Sequence, residues 1–231
     1  VRILQEGFND LQKSLDAIIE TLEYFGARVD ERAALPADQR PDDLITLLVE
    51  TEIDGEPLDR RHLLGTCFLL LLAGIDTTWS AIGSSLWHLA THPEDQARLR
   101  AEPGLIDSAV EELLRVYSPV TMAREVIADV EVAGCPMRSG DKVLMSFPAG
   151  NRDPAQFENP DEFIIDRERN RHVAFGSGIH RCLGSNLARM ELKVAIQEWL
   201  DRIPTFELAD PDAVTWTGGQ VRGPRTIPVR W

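Results

Sequence analysis

One segment dominates what this chain can fold into. Asp59 is a candidate N-cap for a helix that runs from Arg60 to about Ala90. At 1.5 Å per residue such a helix is roughly 45 Å long and can cross a whole domain. Its most apolar run, Leu63 to Ile75, carries Gly65, Thr66 and Gly74 and ends on Asp76. A membrane span needs about 20 apolar residues, so the run predicts a buried helix and no membrane partner.

Shorter helices surround it. Leu11, Leu15, Ile18, Ile19, Leu22 and Phe25 recur at helical spacing within Phe8 to Arg32. Pro41 opens a short helix from Asp42 to Glu50, with acidic residues in its first turn. Asp54-Gly55-Glu56-Pro57 is a turn. Pro93 opens a helix over Glu94 to Ala101, and Leu105 to Tyr117 forms another, closed by Ser118-Pro119. The texture then changes. Val126 to Val132 alternates and Lys142 to Phe147 is apolar, which predicts short strands. Asn151 to Arg171 reads as irregular, Leu187 to Arg202 as helix, and Thr215 to Trp231 as a hairpin. The class is mainly α with a small β portion.

Charge and cysteine count exclude several functions. Lys plus Arg is 24 against 38 for Asp plus Glu, a net charge of −14. That removes a chain-wide grip on nucleic acid and adsorption to anionic lipid. Three scattered cysteines, Cys67, Cys135 and Cys182, are no disulfide framework and point to a reducing, cytoplasmic setting. The N-terminus has no Met start and no apolar signal core, and Val-Arg-Ile-Leu reads as mid-helix, so the numbering is expected to begin inside a longer chain.

The most specific motif is Phe175-Gly176-Ser177-Gly178-Ile179-His180-Arg181-Cys182-Leu183-Gly184. Glycines at 176, 178 and 184 permit a tight backbone and close approach of a flat ligand. Cys182 stands where a helix is about to begin, from Leu183 onward, so helix-end amides favour a thiolate. One thiolate without a second cysteine in reach is a poor zinc site and a good single axial ligand for haem iron. The bland alternative is a structural cysteine in a glycine loop. A chance match to F-x-x-G-x-H-x-C-x-G somewhere in the chain is on the order of one in ten thousand.

The loop resembles the haem-thiolate signature of the cytochrome P450 family, of the soluble bacterial type. Three more segments resemble that family in the same order: Ala73-Gly74-Ile75-Asp76-Thr77-Thr78, Glu112-Leu113-Leu114-Arg115, and Asn151-Arg152-Asp153-Pro154. The resemblance implies a C-terminal portion of a haem domain over residues 1–231, with roughly four-tenths of the domain lying before Val1. It implies haem b (iron protoporphyrin IX), with Cys182 as iron ligand and Ala73, Phe175, Gly176 and Gly184 beside the cofactor. Arg124 and His180 would hold the propionates, as cations suit carboxylates.

Asp76 and Thr77 interrupt an apolar helix. Either a polar face emerges there, or the pair relays protons to bound oxygen, as the resemblance implies. Glu112 and Arg115 share one helix face. Alone, such a pair is usually solvated, whereas the resemblance implies a buried brace behind the cysteine loop. Its customary third arginine is missing, since Glu162 occupies that place in Pro160-Asp161-Glu162-Phe163, leaving Arg152 or another arginine of that segment. Leu69, Leu72, Val120, Gln220 and Val221 are candidate substrate contacts, and each is equally an ordinary core or hairpin residue.

Between Ile165 and Lys193 six basic residues (Arg167, Arg169, Arg171, Arg181, Arg189, Lys193) face three acidic ones (Asp166, Glu168, Glu191), a local +3. Such a patch suits an acidic electron donor, a ferredoxin or a flavin/iron–sulfur reductase, or is an ordinary mixed surface. The expected activity is monooxygenation: one oxygen atom of O2 inserted into a small apolar organic substrate. The competing classes are a peroxide-driven peroxygenase and a non-catalytic haem-binding module or partial domain.

Overall fold

The computed structural model describes residues 11–231, so Phe8 to Asp10 of the first expected helix lie outside the described residues. Two units divide within the long helix, one ending at Ile75 and one running from Asp76 to Trp231.

In the first unit, α1 (Leu11–Ala34) buries Ala17, Gly26 and Val29. The early part of its apolar stripe, Leu11, Leu15 and Ile19, is exposed. The short helix α2 (Leu44–Glu50) starts two residues later than the sequence suggests. Asp43 is its N-cap, accepting from the Thr46 N–H at 2.8 Å, and also takes Arg32 Nη2 of α1 at 3.0 Å. One carboxylate thus caps α2 and ties it to α1. The expected turn is the tip of a hairpin between β1 (Glu52–Ile53) and β2 (Glu56–Pro57). Asp59 caps α3 (Arg60–Thr91) through the His62 N–H at 2.8 Å. Leu63 and Cys67 of α3 join Val29 in the core of this unit.

By length and composition α3 could cross a membrane. Its second half, however, is an interior helix carrying buried polar groups: Ser80, Ser84, Ser85 and His88. His88 Nδ1 lies 2.8 Å from Tyr117 Oη and Nε2 lies 2.9 Å from Asp95. A neutral imidazole satisfies both, donating to the carboxylate and accepting from the hydroxyl.

The second unit packs that half of α3 against α4 (Pro93–Ala101), α5 (Ile106–Val116) and α7 (Ser185–Arg202). Leu89, Leu99, Val110, Leu113, Leu192, Ile196 and Phe206 are buried together. The small β portion is all antiparallel pairs. β3 (Thr121–Glu125) pairs with β6 (Lys142–Ser146), setting Arg124 opposite Val143. β4 (Val130–Val132) pairs with β5 (Cys135–Met137). Of the strand expected over 126–132 only Val130–Val132 forms. The residues before it turn the chain: Val126 N–H donates to the Asp141 carbonyl, Gly140 N–H donates to the Val126 carbonyl, and Ser139 N–H donates to Asp129 Oδ1. One turn of helix, α6 (Phe147–Gly150), leads into the irregular segment that ends at the cysteine loop. In the tail β7 (Glu207–Leu208) pairs with β10 (Val229–Arg230), and β8 (Thr215–Thr217) with β9 (Gly223–Thr226). β7 had no counterpart in the sequence reading, because two residues show no periodicity.

Candidate functional site

Gly176 and Gly178 both adopt φ +69°, the left-handed region that a side chain disfavours. Gly184, at φ −81°, does not need that freedom and is the N-cap of α7. Helix α7 begins at Ser185, two residues before the Leu187 expected from the helical run and two after the Leu183 expected at the cysteine motif, because Leu183 and Gly184 form a turn first. The first helical amide, Ser185 N–H, donates to the Cys182 carbonyl at 3.4 Å. The Cys182 N–H donates to the Phe175 carbonyl at 2.8 Å, which closes the loop, while the residue stays exposed. Ile179 is 98% exposed and Leu183 89% exposed. One soft sulfur donor beside bare apolar side chains suits a flat apolar group carrying one open metal position. Cys67, Cys135 and Cys182 are all free thiols. Among the described residues no cluster of three or more His, Cys, Asp or Glu could hold a metal ion by itself.

Behind the loop stands a buried polar assembly. Glu112 and Arg115 are both fully enclosed. Arg115 spends all five N–H groups. Nε and Nη2 bind the Glu112 carboxylate at 2.8 and 2.7 Å. Nη1 donates to the carbonyls of Asn151 and Pro160 at 2.9 and 2.6 Å, and Nη2 to that of Glu162 at 2.7 Å. A guanidinium has five donors in a fixed fork and no other side chain could meet this set. The solvated alternative is thereby excluded.

The third partner of the pair is Arg167. Its Nε lies 3.0 and 3.1 Å from the two Glu112 oxygens, and its side chain is 7% exposed. Arg152 is not the substitute; it binds Asp161 and the Val116 carbonyl. Glu162 contributes only its backbone. Ile164 N–H and Asn170 Nδ2 complete the shell around Glu112 at 2.9 and 3.0 Å. Burial alone would push the Glu112 carboxyl up, but the bonds from Arg115, Ile164 and Arg167 bring it below its ordinary range. Asn151, fully buried, links helix and loop: Nδ2 donates to Ser118 Oγ at 2.6 Å and Oδ1 accepts from Val173 N–H at 2.7 Å.

Asp76 is paired with Arg225 of β9 at 2.9 Å, a partner 149 residues away. The tail hairpin can reach it because Gly223 lies against α3: a Cβ there would fall 2.4 Å from Ser80 Cβ. The hairpin tip also meets the segment before β3. Val221 bridges Val120, Thr121 N–H donates to the Gln220 carbonyl at 2.9 Å, and Arg222 N–H donates to the Pro119 carbonyl at 2.7 Å. Val120, Gln220 and Val221 are thus brought together. Arg124 and His180 are exposed, on β3 and in a 3-10 turn (Gly178–His180). Leu69, Leu72 and Ala73 lie in the first unit, all exposed on α3.

The local excess of positive charge is smaller than the count suggested. Arg167 is spent on Glu112, Arg189 pairs with Glu111 at 2.5 Å, and Lys193 with Asp107 at 2.8 Å. Their acidic partners sit on α5, outside the counted window. Arg169, Arg171 and Arg181 remain exposed. Sequence reading also missed Asn151, Asn170, Arg225, Glu111 and His172. Only Asn151 stood in a recognised motif.

A 32-residue helix, an enclosed Glu–Arg brace and one cysteine on a glycine loop stand together in a mainly helical protein. Residues 2–213 match the family model described as Cytochrome P450, and the chain belongs to that family. It is 40% identical over 205 residues to probable cytochrome P450 127A1 of Sinorhizobium fredii, covering 89% of this chain and 50% of that protein. It is 36% identical over 217 residues to cytochrome P450-terp of a Pseudomonas species, covering 94% and 50%. The solved structure of the bacillaene polyketide synthase cytochrome P450 PksS of Bacillus subtilis 168 superposes with a TM-score of 0.89 at 38% identity, over 96% of this chain and 57% of that one. The chain spans about half the length of the curated relatives it matches.

Proposed function

We propose that this chain is the C-terminal portion of a haem-thiolate monooxygenase domain, which inserts one oxygen atom of O2 into a small apolar organic substrate. Electrons come from a ferredoxin or a flavin/iron–sulfur reductase, and the setting is cytoplasmic. Family membership and relatives named as hydroxylases, such as the mycinamicin IV hydroxylase/epoxidase of Micromonospora griseorubida, support the reaction class. Free thiols throughout support a reducing compartment.

The observation that carries the reading is the exposed Cys182 on a loop whose backbone is already closed onto Phe175. Haem b, when bound, supplies the oxygen-activating redox chemistry. Cys182 Sγ would ligate its iron, with Phe175, Gly176 and Gly184 beside it, and Ala73 of the first unit is proposed as a haem neighbour by the resemblance alone. Arg124 and His180 would hold the propionates. Asp76, oriented by Arg225, passes a proton to Thr77 Oγ1. Val120 and Val221, with Gln220 beside them, would exclude water from the substrate, and Leu69 and Leu72 of the first unit are proposed as substrate contacts by the resemblance alone.

The test is the absorption spectrum of the reduced, carbon monoxide-bound protein. The thiolate-type band is expected, and it is lost in Cys182→Ala. Persistence of that band in the variant sinks the ligand assignment. Turnover that needs O2, NADH and a reductase supports monooxygenation; equal turnover with peroxide alone would make the enzyme a peroxygenase. Thr77→Ala is expected to raise peroxide release per electron consumed.

A further inference from the structure

Glu111 and Glu112 are adjacent on α5 but face different neighbours. Glu112 binds the irregular segment. Glu111 forms a second, separate bracket with residues that flank the cysteine loop, His172 before it and Arg189 after it. Arg189 of α7 holds it with both ends of its fork, Nε to Oε1 at 2.5 Å and Nη2 to Oε2 at 2.9 Å. His172 Nε2 lies 2.9 Å from the same Oε2. The tautomer follows from the other ring nitrogen: Nδ1 accepts the Ala174 N–H at 3.2 Å, so Nε2 carries the proton and donates to Glu111. Burial alone would raise the Glu111 carboxyl, but the bonds from His172 and Arg189 hold it down at about 2. Glu111 therefore stays an anion that fixes two donors.

Both donors flank Phe175. The Arg189 guanidinium carbon lies 4.6 Å from the Phe175 ring centroid, and the His172 ring lies 6.0 Å from it. Phe175 is also the residue whose carbonyl accepts the Cys182 N–H at 2.8 Å. A cation over an aromatic face is attracted to the ring quadrupole, and this cation cannot wander because Glu111 grips it bidentately. Gly176 and Gly178, in left-handed backbone, give the loop no side chains of their own to hold Phe175 in place.

We propose that Arg189, held by Glu111, is a positioning residue for Cys182: it pins the Phe175 ring, and through the Phe175 carbonyl it fixes the backbone from which the sulfur projects. The role of that sulfur as haem ligand rests on the function proposed above, but the positioning is measurable without it.

The primary experiment is amide hydrogen exchange at Cys182 in the purified full chain as isolated. Arg189→Met keeps the reach and loses the charge. It is expected to speed exchange of the Cys182 amide about two- to thirtyfold, the range a cation–π contact spans, while the amides of Leu192 and Ile196 in the core of α7 are unchanged. Arg189→Lys keeps a cation without the fork and is expected to fall between. Glu111→Gln is expected to follow Arg189→Met. In Phe175→Leu the further change Arg189→Met should add almost nothing, because the route runs through the ring. Wild-type exchange at Cys182 in folded Arg189→Met, or full additivity in the double variant, overturns the proposal. With haem present, Arg189→Met should also lower the thiolate fraction of the reduced carbonyl spectrum. If wild type shows no thiolate band at all, the functional reading fails while the exchange result still decides the bracket.

Discussion

Glu112 and Arg115 are wholly enclosed, whereas Cys182, which the proposed chemistry needs, stands exposed seven residues after the carbonyl it is tied to. The brace uses every donor of Arg115 and surrounds Glu112 with partners from α5 and the irregular segment. The cysteine loop uses two left-handed glycines, two backbone bonds at the cysteine and bare apolar side chains. The difference shows where each group's free energy goes. Buried charges without complete partners would cost several kcal/mol, so the brace must be saturated within the fold. In the proposed function the sulfur binds something that is not protein, and in the structure its surroundings are open while its backbone is fixed.

Substitutions in the two regions should therefore separate folding from ligand binding. Glu112→Ala or Arg115→Leu strands an unpaired buried charge and is expected to cost about 3–5 kcal/mol in urea unfolding. An effect under about 1 kcal/mol would mean the brace is solvated after all. Arg167→Ala is expected to cost less, about 2 kcal/mol, since Arg115 still neutralises Glu112. Arg152→Ala, on a partly exposed pair, should cost under about 1 kcal/mol. Equal effects at 152 and 167 would undo the assignment of the third partner.

Acid should act on the enclosed region first. Burial, with His92 nearby, pushes the His88 imidazole down to about 3. In the unfolded chain a histidine titrates near about 6.5, so between those values the unfolded state binds the extra proton. Stability then falls as pH drops through that window, by at most about 1.4 kcal/mol per pH unit. Glu111, held at about 2, adds a further loss as pH falls from the ordinary carboxylate range toward that value. Equilibrium unfolding across pH 3–7 measures the slope. A flat profile would show that His88 is protonated in the folded protein. Cys182→Ala should leave both the profile and the folding free energy of the ligand-free chain within about 0.5 kcal/mol of wild type, as expected for an exposed side chain, while abolishing the thiolate band.

Local features were legible because their causes are local. Asp59 capping α3, the proline at the start of α4, the glycines of the cysteine loop and the i,i+3 relation of Glu112 and Arg115 all follow from a few neighbouring residues. Boundaries slipped where a cap or turn intervened: α2 begins after Asp43 and α7 after Gly184. The sequence singles out Cys182 and Asp76-Thr77 as candidates and gives no sign of the contacts made by Arg225 and Arg189. Neither arginine stands in a motif, and by charge alone Arg189 belongs to the basic patch between Ile165 and Lys193.

The sequence by itself determined the class: a mainly helical chain with one very long helix, a small β portion, no disulfide framework and one cysteine in a loop that resembles a haem-thiolate signature. Those properties depend on composition, periodicity and backbone preference. Only the tertiary structure decided which arginine completes the Glu112–Arg115 pair, what holds Asp76, and which charges around Cys182 are already spent. Arg167 reaches Glu112 across 55 residues and Arg225 reaches Asp76 across 149. Pairings at such separations are chosen by the three-dimensional placement of α3, α5, α7 and the tail hairpin, and a guanidinium binds whichever carboxylate the fold leaves unpaired beside it.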